Sequence, residues 1–223
     1  MARYSYGRFA KSLQEALIMV KNYVDGVISN LPVELVKVIR DRLGIRNFVE
    51  TGTQYGFTAG IAARLFKQVW TIELNRNKWQ KAKEALSKYR NATCLCGDSA
   101  EVLPKVVKAL KGPALFFLDA HCFIHVEKHG TGCPLLAELA VVRRGDAVLI
   151  DDVKFFLTLP RPTLLRAGCP ELVEVVDALR TRGDNPFIFV FGNCFVAVPR
   201  KIRAPVTTYI QAHTDYVALK TPE

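Results

Sequence analysis

A predicted turn between an apolar strand and a helix constrains the fold of this chain more than any other feature. Two apolar residues precede Glu50, and the glycines Gly52 and Gly56 precede a helix-compatible stretch, residues 58–65. Glycine accepts a positive φ angle and has no side chain to keep a ligand away from the backbone. The pattern therefore predicts a strand, a tight turn and a helix, in which the turn is either purely structural or part of a binding site.

Four further apolar segments downstream are predicted to be strands, and an acidic side chain lies at or just beyond the end of each. The segments are residues 69–74, 92–96, 114–118 and 147–150. The acids are Glu73, Asp98, Asp119 and the pair Asp151 and Asp152. Helices are predicted between these strands at residues 77–89, 100–110 and 134–143. Ligands of open parallel sheets bind beyond the carboxyl ends of the strands, so the acids are expected along one such edge.

In the last part of the chain, the sequence pattern predicts a helix followed by a hairpin. The helix is expected over residues 171–180. Two apolar segments, residues 187–191 and 194–198, flank Gly192 and Asn193, a pair typical of a tight turn. Beyond them, residues 199–223 form a basic and then mixed tail with little pattern.

The N-terminal part carries two helical patterns, one from Phe9 to Val24 and one over residues 33–39. We expect these helices to cover the sheet edge or the ligand site, and they could also pack across a homodimer. The 223 residues are most simply one domain. Its predicted parts are a helical cover, a ligand-binding unit and a tail, at residues 1–46, 47–200 and 201–223.

Composition narrows the classes of protein that remain. The formal charge of +10 would suit nucleic acid, but the lysines are scattered over predicted helix faces and loops, as on an ordinary solvated surface. The six cysteines include no C-x-x-C pair, which argues against a zinc ribbon and favours reduced thiols. No apolar run reaches the roughly 18 residues that a membrane span needs. We therefore expect a soluble protein of the cytoplasm.

The order of the motifs resembles the class I S-adenosylmethionine (SAM)-dependent methyltransferase family. The motifs are E-T-G-T at residues 50–53, the acid Glu73, G-D-S at residues 97–99 and L-D-A-H at residues 118–121. The resemblance spans residues 47–198 and implies an α/β, Rossmann-like methyltransferase fold. That fold has a mostly parallel seven-stranded sheet with a C-terminal antiparallel hairpin and helices on both faces. The resemblance also implies an enzyme that transfers a methyl group from SAM.

The same resemblance implies which residues bind the cofactor. Glu73 would hold the ribose, and Asp98 and Ser99 would lie beside the adenine. The remaining cofactor-binding residues would be Glu50, Thr51, Gly52, Thr53, Tyr55, Gly56 and Asp119, most of them at the methionine end. The turn departs from the commoner G-x-G-x-G form of the family, because Gln54 stands where a glycine often lies.

Three acids resemble the metal ligands of metal-dependent O-methyltransferases, such as the catechol and macrolide-sugar enzymes and the cephalosporin hydroxylase-like proteins. They are Asp119, Asp151 and Asp152, and carboxylate oxygens suit magnesium. A cation that binds two vicinal hydroxyls lowers their pKa, and a nearby base then takes the proton. His121 is the first candidate for that base and Lys154 the second. We therefore predict magnesium-assisted O-methylation of a hydroxylated small molecule or sugar.

Other interpretations of the site stay open. His121 is equally well a structural histidine or a partner of a metal ligand. His121, His125 and His129 recur at steps of four before Cys133, which on a helix would suit zinc or nickel. The glycines in this segment favour a substrate loop instead.

Two other classes of protein remain as alternatives to a small-molecule enzyme. One is a nucleotide-binding or cofactor-binding protein of the same fold that transfers no methyl group, although the absence of G-x-G-x-x-G argues against NAD. The other is a nucleic-acid methyltransferase. The chain lacks the N-P-P-Y type of tetrapeptide and a catalytic Pro-Cys pair, but its positive charge keeps this alternative open.

Overall fold

The computed structural model describes residues 31–120, 132–153, 156 and 168–213. The described residues belong to one compact unit that begins at Leu31. The first predicted helix, from Phe9 to Val24, lies outside the described residues.

Seven strands and seven α-helices make up the described part of the chain. The strands are β1 (Asn47–Thr51), β2 (Gln68–Glu73), β3 (Ala92–Cys96), β4 (Ala114–Leu118), β5 (Ala147–Ile150), β6 (Phe187–Phe191) and β7 (Cys194–Val198). The helices are α1 (Val33–Leu43), α2 (Phe57–Ala62), α3 (Arg76–Leu86), α4 (Ser99–Ala109), α5 (Leu135–Val141), α6 (Leu172–Thr181) and α7 (Arg203–His213). A short 3₁₀ turn, Arg200–Ile202, precedes α7.

The strands form one sheet in the order β3-β2-β1-β4-β5-β7-β6. Strands β1 to β5 are parallel, whereas β7 is antiparallel to both β5 and β6. The predicted fold class is therefore confirmed, including the C-terminal hairpin. The order reverses between β1 and β4, which is where an open parallel sheet forms its ligand crevice.

Two apolar layers cover the sheet, one on each face. On one face, α1, α2 and α7 pack over a core that includes Phe48 and Phe117. On the other face, α4, α5 and α6 pack over a core that includes Phe116 and Leu139. Strands β1, β4 and β5 are buried along their whole length, which explains the continuous apolar sequences of β4 and β5.

Polar side chains fix where several helices begin. Asn75 caps α3 by accepting hydrogen bonds from the backbone amides of Asn77 and Lys78, at 3.0 and 3.1 Å. Asp98 caps α4 by accepting from the amide of Ala100 at 2.9 Å. Both caps directly follow strand ends, so they set the position of the carboxyl edge of the sheet relative to the helices.

The C-terminal segment differs from its prediction as a tail with little pattern. Residues 203–213 form helix α7, which packs against α1. Val206 is its one fully buried residue, and the ring of Tyr209 lies 6.1 Å from that of Phe191. So few apolar anchors leave a weak helical periodicity in the sequence, which is why the pattern did not reveal the helix.

Within the described residues, no helix is both long enough and apolar enough to cross a membrane. The described cysteines, Cys94, Cys96, Cys133, Cys169 and Cys194, all carry free thiols. Of these, Cys194 is buried and Cys96 is exposed.

Candidate active site

The predicted glycine turn lies at the carboxyl end of β1, in the centre of the sheet. Gly52 and Gly56 have φ angles of 85° and 83°, as the glycine pattern predicted. Gln54 between them also has a positive φ, 49°. The departure from the glycine-rich form of the motif is therefore accommodated by Gln54 itself, which takes the left-handed conformation.

Glu73 ends β2 beside this turn and holds it in place. One carboxylate oxygen accepts a hydrogen bond from the backbone amide of Gln54 at 2.7 Å, and the other accepts from the amide of Asn75 at 2.8 Å. The side chain is only 6% exposed. Each carboxylate oxygen can accept two hydrogen bonds, so both retain one lone pair for a ligand hydroxyl. The predicted ribose acid is thus fixed at the edge of the crevice.

Glu50 lies beneath the turn rather than at its surface. It is 1% exposed, and it accepts a hydrogen bond from the hydroxyl of Thr71, which in turn bonds to that of Thr53. Burial raises the pKa of Glu50 more than the hydrogen bond from Thr71 lowers it, and the charge of Glu73 also raises it, to a net value of about 8. A contact between Glu50 and the cofactor, implied by the resemblance, stays a prediction.

Asp98 and Ser99 lie at the start of α4, after the end of β3. The amide of Gly97 donates to the carbonyl of Glu73 at 3.0 Å, which ties this segment to the end of β2. Asp98, which caps α4, is half-buried, and Ser99 is buried. Glu73 and Asp98, predicted to bind the ribose and the adenine, thus lie at the ends of neighbouring strands.

Three acids follow β4 and β5. The half-buried Asp119 follows β4, and its amide donates to the carbonyl of Thr51 at 3.0 Å. Burial raises the pKa of Asp119, the charges of Asp151, Glu50 and Asp152 also raise it, and together they bring it to about 9. The like charges of these acids thus act on one another at the same edge of the sheet.

Asn193, in the turn between β6 and β7, joins two of these acids. Its side-chain amide donates to Asp151 at 3.2 Å and to Asp152 at 2.9 Å. The backbone amide of Asp152 also donates to the Asp151 carboxylate, at 2.7 Å. Asp152 has a φ angle of 56°, a conformation that residues other than glycine seldom adopt.

The three predicted metal ligands have the donor atoms that a divalent cation requires, but not the arrangement. Carboxylate oxygens are the donors that magnesium prefers, and a cation would relieve the repulsion that raises the pKa of Asp119. Nevertheless, within the described residues no group of three or more His, Cys, Asp or Glu side chains is placed to hold a metal ion. Asp119, Asp151 and Asp152 therefore match a divalent cation in the type and charge of their donor atoms. Their side chains are not placed as a group that could hold a metal ion.

Several predicted site residues lie elsewhere. The candidate bases His121 and Lys154 lie outside the described residues, as do His125 and His129. Tyr55 is 40% exposed at the surface of the turn, where the ammonium group of Lys81 lies 5.8 Å from its ring centre. The other predicted turn residues, Thr51, Gly52, Thr53 and Gly56, are together at the end of β1 and the start of α2.

The structure adds residues that sequence reasoning missed. Asn193 was recognised as a turn residue, but its bonds reach acids about 40 positions earlier in the chain, and no local pattern reveals such a contact. Thr71 lies inside an apolar strand, where a threonine gives no functional signal. Glu138 lies on α5 and is fully buried. An acid within an apolar helix face is a signal that could have identified Glu138.

The fold is similar to solved structures of O-methyltransferases. TomG from Streptomyces achromogenes, an O-methyltransferase involved in tomaymycin synthesis and solved in complex with SAM, has a TM-score of 0.55 and 16% identity, over 84% of this chain and 89% of TomG. The O-methyltransferase from Bacillus cereus, solved in complex with SAH, has a TM-score of 0.55 and 13% identity, over 86% of this chain and 92% of that chain. No family model and no curated protein matches the sequence. The chain thus has a Rossmann-like methyltransferase fold.

Proposed function

We propose that this chain is a SAM-dependent methyltransferase that methylates a hydroxyl group of a small molecule or sugar, with help from a divalent cation. The observation that carries the proposal is the anchoring of Glu73 beside the glycine turn, at the carboxyl edge of the sheet. Its carboxylate is fixed by the amides of Gln54 and Asn75. The similarity to O-methyltransferase structures supports the choice of cofactor.

The residues at the end of β1, β2 and β3 would bind the cofactor. Glu73 would accept hydrogen bonds from the two ribose hydroxyls, because each of its oxygens has a remaining lone pair. Asp98 and Ser99 would contact the adenine. The backbone at Gly52, just after the end of β1, would lie against the methionine part.

Methyl transfer requires the acceptor oxygen to lie in line with the sulfonium methyl group that SAM supplies. Asp119, Asp151 and Asp152 would hold a magnesium ion next to this position, and such an ion lowers the pKa of hydroxyls bound to it. The mutual repulsion of these acids supports this part of the proposal, because a cation would relieve it. Asn193 would keep Asp151 and Asp152 together.

A base must remove the proton of the acceptor hydroxyl. From the sequence, His121 is the first candidate, because it follows Asp119 by two positions. Lys154 is the second, because it follows Asp151 by three. His121→Ala and Lys154→Ala should therefore differ, with the larger loss of the maximal rate in the variant that lacks the base.

The proposal is tested by methyl transfer from radiolabelled SAM to a panel of catechols, flavonoids and sugars with vicinal hydroxyls, with magnesium or with EDTA. We expect transfer to at least one acceptor, and its loss with EDTA. Asp119→Ala and Asp152→Ala should abolish magnesium binding while SAM binding persists. The surface variant Glu84→Gln is the matched control and should behave as wild type, because Glu84 is exposed on α3.

Two outcomes would contradict different parts of the proposal. Unchanged magnesium binding in both aspartate variants would remove the metal site. Transfer that proceeds fully in EDTA would remove the role of the cation while leaving the methyltransferase assignment intact.

A further inference from the structure

Glu138 is a fully buried acid that the proposed reaction does not use. It lies on α5, which packs against α4, and it is 0% exposed. Burial raises its pKa, the neighbouring hydroxyls of Ser99 and Thr51 lower it, and the net value is about 7. These two side chains are therefore close neighbours of the Glu138 carboxyl.

The carboxyl of Glu138 receives little hydrogen bonding from the described part of the protein. Among the described residues, neither of its oxygens has a well-formed hydrogen bond, and the hydroxyl of Thr51 likewise has none. Burying an acid without such partners costs several kcal/mol, and apolar residues of similar volume are often more stable in its place. The fold alone therefore gains nothing from an acid at this position.

The two neighbours of Glu138 belong to the two segments that border the proposed cofactor crevice. Thr51 ends β1 and directly precedes Gly52, at the proposed methionine end. Ser99 is the first residue of α4 and follows Asp98, at the proposed adenine end. A single buried carboxyl thus lies against both segments.

We propose that Glu138 is a positioning residue for the cofactor, which acts by holding the hydroxyls of Ser99 and Thr51. This inference rests on the proposed function and extends it to a residue that touches no reacting atom. In the cofactor-bound protein, both hydroxyls donate to the carboxylate. The start of α4 and the end of β1 are then fixed at the separation that the adenosine and methionine parts require.

The first test replaces the acid by an apolar side chain of similar size, Glu138→Met, and by its neutral isostere, Glu138→Gln. Calorimetric titration with SAM and urea denaturation are measured on each variant. We expect Glu138→Met to bind SAM about tenfold more weakly, the effect of losing a hydrogen bond to a charged group, with unchanged or higher stability. Glu138→Gln, which keeps one acceptor oxygen, should lose less affinity. Stability and affinity that fall together would indicate a merely structural role and overturn the inference.

The second test is a double-mutant cycle with Ser99→Ala. If Glu138 acts through Ser99, then Ser99→Ala weakens SAM binding less in Glu138→Met than it does in the wild type. Fully additive losses would overturn the inference. Glu101→Gln, an exposed acid on α4, is the control and should leave SAM affinity unchanged.

The same experiments separate this inference from the proposed function. A wild-type protein that does not bind SAM overturns the cofactor assignment and the role of Glu138 with it. A wild-type protein that binds SAM, with Glu138 variants that bind it equally well, overturns only the role of Glu138.

Discussion

The backbone carbonyl of Asp119 lies directly against Gly52, so closely that no side chain fits between them. A Cβ atom on Gly52 would lie 2.7 Å from the carbonyl carbon of Asp119 and 3.0 Å from the amide nitrogen of Ala120. The amide of Asp119 also donates to the carbonyl of Thr51 at 3.0 Å. The turn after β1 and the segment after β4 are therefore in direct backbone contact, which joins the proposed cofactor crevice to the acids.

Gly52→Ala should disrupt this contact. The new methyl group would overlap backbone atoms of Asp119, and overpacking of this kind typically costs about 1 to 3 kcal/mol in addition to the strain of a positive φ. Gly112→Ala is the matched control, because Gly112 has a similar φ of 81° and no atom within 4 Å of the added Cβ. Urea denaturation should show a loss for Gly112→Ala of only about 1 to 2 kcal/mol. Equal losses in the two variants would show that the close approach has no energetic consequence.

Glu50→Gln should stabilise the protein without ligand, increasingly so as the pH rises. The pKa of Glu50 is about 8 in the folded protein, against 4.5 as its ordinary value. Between these pH values Glu50 stays protonated in the folded state but ionises in the unfolded state. The free energy of unfolding therefore falls as the pH rises. Glutamine removes this contribution. The advantage of the variant should grow from near zero at pH 4.5 to a few kcal/mol at pH 8.

The measurement for Glu50 is urea denaturation of both proteins at several pH values across this window. The exposed-acid variant Glu84→Gln serves as the control and should follow the wild-type curve. If the difference in the free energy of unfolding between Glu50→Gln and wild type does not change with pH, the pKa of Glu50 is not raised in the folded protein.

Glu73→Ala should weaken SAM binding by roughly 1.5 to 3 kcal/mol, the range for hydrogen bonds to a charged group. It should also loosen the turn, because the amides of Gln54 and Asn75 lose their acceptors. Glu73→Gln keeps one carbonyl oxygen and should be affected less. Calorimetric titration of the three proteins checks the order, and an affinity for SAM that is the same in all three would remove the ribose assignment.

Asn193→Asp should destabilise the protein unless magnesium is present. The substitution keeps the shape of the side chain, removes the donor to Asp151 and Asp152, and adds a third negative charge beside them. Loss of hydrogen bonds to charged groups predicts a cost of about 1.5 to 3 kcal/mol. Thermal denaturation with and without magnesium measures the effect, and Asn193→Ala separates the lost donor from the added charge. A variant as stable as wild type in EDTA would contradict the role of Asn193.

The fold was predictable because its signals are local. Strands β4 and β5 are buried on both faces and therefore appear as continuous apolar runs. The hairpin around Gly192 and Asn193 has the bounds that the sequence predicts. The position of Glu73 beside the glycine turn was predictable for a similar reason, since its distance along the chain from the turn is set by one βα unit. Helix α7 was missed because Val206 alone is fully buried in it.

Much of the site was not predictable, because it depends on contacts between distant segments. In its left-handed conformation, Gln54 donates a hydrogen bond from its backbone amide to Glu73, 19 positions away. The bonds of Asn193 to Asp151 and Asp152 arise only after β7 has added to the sheet beside β5. The burial of Glu138 depends likewise on how α4 and α5 pack over one face.

The most direct test of the proposed methyltransferase function is calorimetric titration of the purified protein with SAM, in magnesium and in EDTA. We expect binding with micromolar affinity under both conditions, because Glu73, Asp98 and Ser99 lie at the ends of β2 and β3, whereas the acids that would hold the cation follow β4 and β5. Glu73→Ala, measured in parallel, should bind more weakly under both conditions. The absence of SAM binding in both titrations would contradict the methyltransferase assignment.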